Sequence, residues 1–544
     1  MNENYASIWE AIADAFPERI AIVEGERRVS YREWDDRSAR LAAALADRGV
    51  GHDDMVAAFL YNCVEYLEVA HAAFKCRAVP ININYRYVEE ELAYVLEDSQ
   101  AKALVFHRSL ADRIAGVRER FPDLVLIQVD DGGTGRDDAL GYEELLAAHE
   151  PMPRIPRSGE EDHYVLYTGG TTGMPKGVVW RHDELFGTLT ATYVLSGTEP
   201  PDTLDQVAPK ALEVEKAGNT PITMPASPMI HGTAFFLAQT TLVLAGTVVF
   251  LTGRHLDAHE LWQTVEREKV TQIVIVGDAF AKPMVKALDE AAERGAPYDI
   301  SSVTQIVSSG VMWTAPVKQA LLDRGNMLLA DMLGASEGGP FGVSMLKPGD
   351  SAETATFTIG PRAKLLRDDD TEIPWGSDEV GVLAVAEPVP SGYFKDPEKT
   401  TRTFRVIDGI RYSIPGDYAK VDADGTLHLL GRGSVCINTG GEKVYPEEVE
   451  EILKIHADVD DCNVVGIPDD RWGEAITAVV QPRDGASVRG EDLEPLLREH
   501  LAGYKVPKHW VFVDRIERSP AGKSRYRWAR ATAADALGVA LPEG

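Results

Sequence analysis

Cysteine is scarce in this sequence: only Cys63, Cys76, Cys436 and Cys462 occur among 544 residues. No Cys-x-x-Cys pair or Cys/His cluster is present, which speaks against a disulfide framework and against a zinc site. Long apolar runs are missing too, so no bilayer-spanning segment is expected. The opening MNENYASIWEAIADAF has acidic residues and no basic region ahead of an apolar run, so it does not read as a signal peptide, and a cytoplasmic protein is expected. Positive charge is in deficit, with 55 Lys and Arg against 86 Asp and Glu and a formal net charge of -31. That excess argues against nucleic acid or an anionic membrane as the main partner. Any polyanionic ligand must be met by local cations or backbone N–H groups.

What is present describes a globular chain: 44% hydrophobic and 26% charged residues, long enough for several structural units. Strand-length apolar runs, such as 56–61, 103–107, 164–168, 271–277, 304–310 and 381–387, alternate with segments of helical period at 32–48, 258–269 and 281–293. Such alternation predicts an α/β architecture with largely parallel sheets. Asp424-Gly425 predicts a hairpin turn just before Gly431-Arg432-Gly433-Ser434. After that step the pattern restarts, giving a large unit over 1–430, a connector at 431–434 and a small unit over 435–544. The connector reads equally well as a hinge or as a plain linker.

The strongest local signal is YTGGTTGMPKG at 167–177, directly after a buried-strand pattern. Gly169, Gly170 and Gly173 permit close backbone approach, Thr168, Thr171 and Thr172 add hydroxyls, and Lys176 adds a cation. A generic loop of this composition is as often a surface turn as a phosphate cradle, but the full string favours phosphate. It is not a Walker A loop, because Gly177 follows Lys176. A second signal is RSPAGKSRYRWAR at 518–530, five basic residues and no acidic one in an acidic chain. It suits either a solvated tail or an anion site.

The string at 167–177 resembles the phosphate loop of the adenylate-forming superfamily, which includes acyl-CoA synthetases. GASE (334–337), YSIPGD (412–417), GRGSVCINTGGEKVYPEEVE (431–450) and RSPAGKSRYR resemble further motifs of that superfamily in the same order, so the similarity spans nearly the whole chain. It implies a large domain of mixed, largely parallel sheets with a β-barrel-like portion, and a small mobile α+β domain turning at Ser434. It also implies ATP, Mg2+ and coenzyme A as reactants or cofactor, with an acyl-adenylate formed and then passed to a thiol. By resemblance Glu337 holds the metal and Thr171 and Ser336 touch phosphate. Gly310, Leu333 and Gly334 border the adenylate, Asp417 takes the ribose hydroxyls, and Arg432 approaches ribose or phosphate. Lys523 bridges carboxylate and α-phosphate. Gly440 and Gly441 line the coenzyme A tunnel; Trp472 and Lys508 are further coenzyme A candidates, each with a bland alternative, a core tryptophan and a surface lysine. Arg525, Arg527 and Arg530 have no role assigned by the resemblance. A homodimer is compatible with it.

Departures from the family pattern are Gly169 for a serine, Ser336 for a threonine, Leu333 for a tyrosine and Ser434 at the hinge. None removes a catalytic charge. The segment SPMIHGTAFF (227–236) has no acidic residue to hold a substrate ammonium, which disfavours an amino acid. Met229, His231, Phe235, Val311, Met312 and Met332 are the expected walls of an apolar acyl site. The longer strings look most like actinobacterial ligases for fatty acids and steroid side-chain carboxylates. An aromatic or medium-chain acid, a luciferase-type oxygenase and a non-catalytic nucleotide-binding regulator stand as alternatives.

Overall fold

The structure, a computed structural model, describes residues 1–168, 175–439, 442–469, 472–501, 503–518 and 523–541. Gly169, Gly170, Thr171, Thr172, Gly173, Gly440 and Gly441, singled out above, lie outside the described residues, as do the side chains of Arg432 and Ser434.

The apolar runs form strands because each is buried on both faces, which is how parallel strands between helices read in sequence. One sheet orders His163–Thr168, Val79–Asn82, Met55–Phe59, Ala103–His107 and Val125–Val129 side by side, all parallel. A second orders Ile20–Glu24, Thr247–Phe250, Ile222–Pro225, Gln272–Ile275, Gln305–Ser309 and Leu328–Ala335, again parallel. Helices Tyr31–Ala46 and Ala258–Glu268 begin where expected, and each has a side-chain cap: Ser30 Oγ accepts from Glu33 N, and Asp257 accepts from the first-turn amides.

Past Leu328–Ala335 the second sheet continues through antiparallel neighbours only, from Gly338–Leu346 to Phe404–Ile407. Here the α/β expectation needs enlarging. Short turns, among them Asp424-Gly425 with Gly425 at φ +88°, fold the chain straight back and leave no room for a crossover helix. The antiparallel stretch is the counterpart of the barrel-like portion.

Residues 437–512 build a third sheet in which Val459–Asp469 pairs antiparallel with Gly473–Pro482, and His509–Phe512 lies parallel to the latter. Helices Pro446–Ile455 and Gly490–His500 cover it, with Val449, Leu453, Val464, Ile476 and Leu493 in a separate core. Helix Tyr526–Leu537, which the sequence pattern did not announce, packs Ala529, Ala533 and Ala534 against Val465 and Ile467. Among the described residues no helix is long and apolar enough to cross a membrane.

Candidate active site

His163–Thr168 and Lys176–Arg181 pair antiparallel, with Thr168 opposite Lys176 in register. The C-terminal ends of the parallel strands open onto the same region, where ligands of open α/β sheets bind. One cavity of about 2180 Å3 lies there, bordered by Thr168, His231, Gly310, Glu337 and Asp417 from the large unit and by Lys523 from the small one. Val311, Met312, Met332, Leu333, Gly334 and Ser336 also line it.

Two of the expected acyl walls do not. Met229 and Phe235 are buried in the core and are not among the lining residues, and Phe235 stacks on Tyr164 at 5.0 Å between ring centroids. The helix Gly232–Val243 instead turns Phe236 to the cavity, a difference of one position that 100° per residue explains.

Glu337 stands in the turn between Leu328–Ala335 and Gly338–Leu346. Its Oε1 accepts a 2.6 Å bond from the Tyr393 hydroxyl, and among the described residues Oε2 has no protein donor. Lys399 lies over the Tyr393 ring, its Nζ 4.0 Å from the centroid, and burial pushes its ammonium below the ordinary lysine range. Lys176 pairs with Asp396 at 2.5 Å, and that bond raises the lysine's pKa. Tyr393, Asp396 and Lys399 were not foreseen. The string GYFKDPEK carries only the turn signal of Lys395-Asp396-Pro397, which gives no hint that it folds beside Glu337.

Gly310, at φ +92°, turns the chain after Gln305–Ser309 in a backbone conformation that glycine alone adopts freely. Asp417 opens the strand Asp417–Val421 and sits opposite Arg432 in the ladder. Beside it Glu447 is half-buried, with its Oε2 shielded from solvent, unpaired and close against Gly431, where a Cβ would fall 2.2 Å from that oxygen. Burial, then the Glu450 and Asp417 charges, push the Glu447 carboxyl up to about 8. Sequence reading passed over Glu447, because an acidic helix start is an ordinary feature.

His231 precedes the helix Gly232–Val243, and its Nε2 is buried with no hydrogen-bond partner. Burial holds its imidazole down to about 3, helped by the positive charge of Lys523. Lys523 and Arg527 border the cavity, and so do Arg518, which pairs with Asp461, and Arg525, which pairs with Glu517 at 2.7 Å; Arg530 pairs with Glu474 at 3.1 Å and is not among the lining residues. Trp472 and Lys508 come together outside the cavity, the ammonium 5.6 Å from the ring centroid.

One three-residue group among the described residues has metal-like spacing: Glu10, Asp35 and His71. It already holds a cation, because Lys75 Nζ contacts Glu10 at 2.7 Å and Asp35 at 2.6 Å. Glu337 suits a hard ion better. Magnesium is commonly held by one or two carboxylates plus substrate phosphates and water, and Glu337 offers one carboxylate oxygen to the cavity that Thr168 and Lys176 also border.

Fold and cavity define a two-unit α/β protein in which Glu337 and Asp417 of the large unit and Lys523 of the small one border one cavity. The chain belongs to the AMP-binding enzyme family: residues 9–394 match the AMP-binding enzyme description and 448–523 match the AMP-binding enzyme C-terminal domain. It is 41% identical to a 3-oxocholest-4-en-26-oate–CoA ligase of Rhodococcus rhodochrous, over 97% of this chain and 95% of that one. It is 42% identical to the medium-chain acyl-CoA ligase Mig of Mycobacterium avium, over 96% and 97% respectively. In fold it is similar to the anthranilate CoA ligase AuaEII in complex with anthranoyl-AMP, with a TM-score of 0.83 and 22% identity over 99% of this chain and 98% of that one.

Proposed function

We propose that this protein is an AMP-forming acid–CoA ligase acting on a hydrophobic carboxylic acid, a steroid side-chain or long-chain acid first among them. The supporting observation is that Glu337, Asp417, His231 and Lys523 border one cavity, in a chain of the AMP-binding enzyme family. In this reaction a carboxylate oxygen attacks the α-phosphorus of ATP and pyrophosphate leaves. The thiol of coenzyme A then displaces AMP from the acyl carbon.

Both reactants of the first step are anionic, so the barrier is mainly one of charge. Lys523 supplies a movable positive charge at the meeting point, and Asp417, an acceptor-only group, takes the ribose O–H donors. Glu337, oriented by Tyr393, would hold Mg2+, which neutralises phosphate charge when bound. Uncharged His231 borders the acid's carboxylate without adding a competing cation. Trp472 and Lys508, outside the cavity, suit the adenine and phosphates of coenzyme A. The domain division at 431–434 belongs to this reading, with the small unit carrying Lys523 to and from the site.

A cavity of about 2180 Å3 exceeds the roughly 300–1,000 Å3 of ordinary ligand pockets, which leaves room for a bulky acyl group beside a nucleotide. The 3-oxocholestenoate and medium-chain ligases among the relatives support this range of acids. The test is coenzyme A-dependent release of AMP over steroid, long-chain, medium-chain and aromatic acids. Absence of AMP with every acid, or light and oxygen uptake instead, would overturn the reading.

A further inference from the structure

We propose that Gln305 recognises a carbonyl oxygen at the end of the acid remote from its carboxylate. The inference rests on the ligase reading only for which end of the cavity takes the carboxylate.

The cavity runs back along one face of the parallel sheet. Gln305, Val307 and Ser309 all line it, and residues two apart on a strand share a face. Ser309 lies at the catalytic end, and Gln305 is four residues earlier, about 13 Å away at the usual rise per strand residue. Between them the lining is apolar, with Val276, Val307, Ala330, Met332 and Phe236. At Gln305 it turns polar again.

That polar end is an ordered chain of hydrogen bonds. Thr241 Oγ1 donates to Thr223 Oγ1 at 2.7 Å, and Thr223 Oγ1 donates to Gln272 Oε1 at 3.1 Å. Gln272 Nε2 then donates to Gln305 Oε1 at 2.8 Å across adjacent strands. Thr223 and Thr241 are fully buried, so the first links exclude water. Thr241 Oγ1 has a second acceptor, Leu237 O at 2.8 Å, but Thr240 Oγ1 also donates to that carbonyl at 2.9 Å, which leaves the Thr241 proton for Thr223. With that start, and with an amide accepting only through oxygen and donating only through nitrogen, the chain runs from Thr241 to Gln305. It ends on Gln305 Nε2, which has no acceptor among the described residues. Nearby Thr220 also borders the cavity, with a buried, unpartnered Oγ1. A cavity that ends in donor N–H groups suits an acceptor oxygen, and a methylene placed there would leave the amide unpaired.

The test uses two acids with the same apolar skeleton, one with a keto group at the far end and one with a methylene there. Their binding to the full-length protein and to Gln305→Leu and Gln305→Glu is measured by isothermal titration. Gln305→Glu keeps the size and the acceptor for Gln272 but replaces the terminal donor. Wild type is expected to favour the keto acid by about tenfold, with both variants losing that preference and holding the methylene acid within about twofold. Equal binding of the two acids by wild type, or equal weakening of both by the variants, would overturn the assignment. Titration needs no turnover. A keto preference without AMP release would therefore sink the ligase reading and leave Gln305 assigned, whereas AMP release without a keto preference would do the reverse.

Discussion

The Lys523 ammonium, carried by the small unit, lies within electrostatic reach of the buried His231 imidazole of the large unit, and both border one cavity. On the proposed reading, Lys523 is the charge delivered to the end of the cavity that takes the acid. Replacing it should affect one half of the reaction. Lys523→Ala is expected to lower adenylate formation by about 10²–10³-fold, measured by acid-dependent pyrophosphate exchange. Conversion of pre-made acyl-adenylate and coenzyme A to thioester should stay near wild type.

The Tyr393–Glu337 bond predicts a graded response to magnesium. Tyr393→Phe removes the donor that orients the carboxylate and should raise the Mg2+ concentration for half-maximal adenylation by about tenfold. Glu337→Gln removes the anionic ligand itself and should have the larger effect. Equal Mg2+ titration curves for wild type and both variants would contradict the assignment.

Chelation should separate activity from folding. EDTA is expected to abolish adenylation yet leave the unfolding temperature unchanged, because the metal-like group Glu10, Asp35 and His71 is already filled by Lys75. A lower unfolding temperature in EDTA would show a structural ion.

Glu447 predicts a dependence of stability on pH. Its carboxyl rises from the ordinary 4.5 to about 8, with Glu450, Asp417 and Tyr526 as its charged and titratable neighbours. Between those values the folded protein keeps a proton that the unfolded chain has released, so stability falls as pH rises from about 4.5 towards 8. Glu447→Gln should remove this contribution. Its unfolding temperature should gain on wild type by roughly a few degrees from pH 5 to pH 8, read by calorimetry.

The parallel strands were legible because a strand buried on both faces is written as an unbroken apolar run, as at 103–107 and Ala103–His107. The antiparallel stretch was less so. Gly381–Ala386 is buried and read as an apolar run, but Phe404–Ile407 and Ile410–Ser413 are short and partly exposed, and the partners are set by turns whose order does not show in composition. Helix Tyr526–Leu537 hid behind its basic residues, since Ala529, Ala533 and Ala534 form only a narrow apolar stripe. Among the residues that line the cavity, Glu337, Asp417 and Lys523 stand in motif strings that sequence reading singled out. Tyr393, Asp396 and Glu447 were not singled out, because their meaning comes from neighbours distant in sequence. The misplacement of Phe235 for Phe236 shows the remaining gap, as helix phase is fixed by packing and a short apolar run leaves it open.

The slot along the sheet face is built wholly from the large unit, while the lysine at its catalytic end comes from the small one. On the proposed reading, choice of acid and delivery of charge reside in separate stretches of chain. A lineage could lengthen, shorten or re-tip the slot by changes at positions such as 305, 307 and 332 while the lysine stays in place. Conversely, a lesion in the small unit should blunt turnover of every acid by the same factor, leaving the order of preference among them intact.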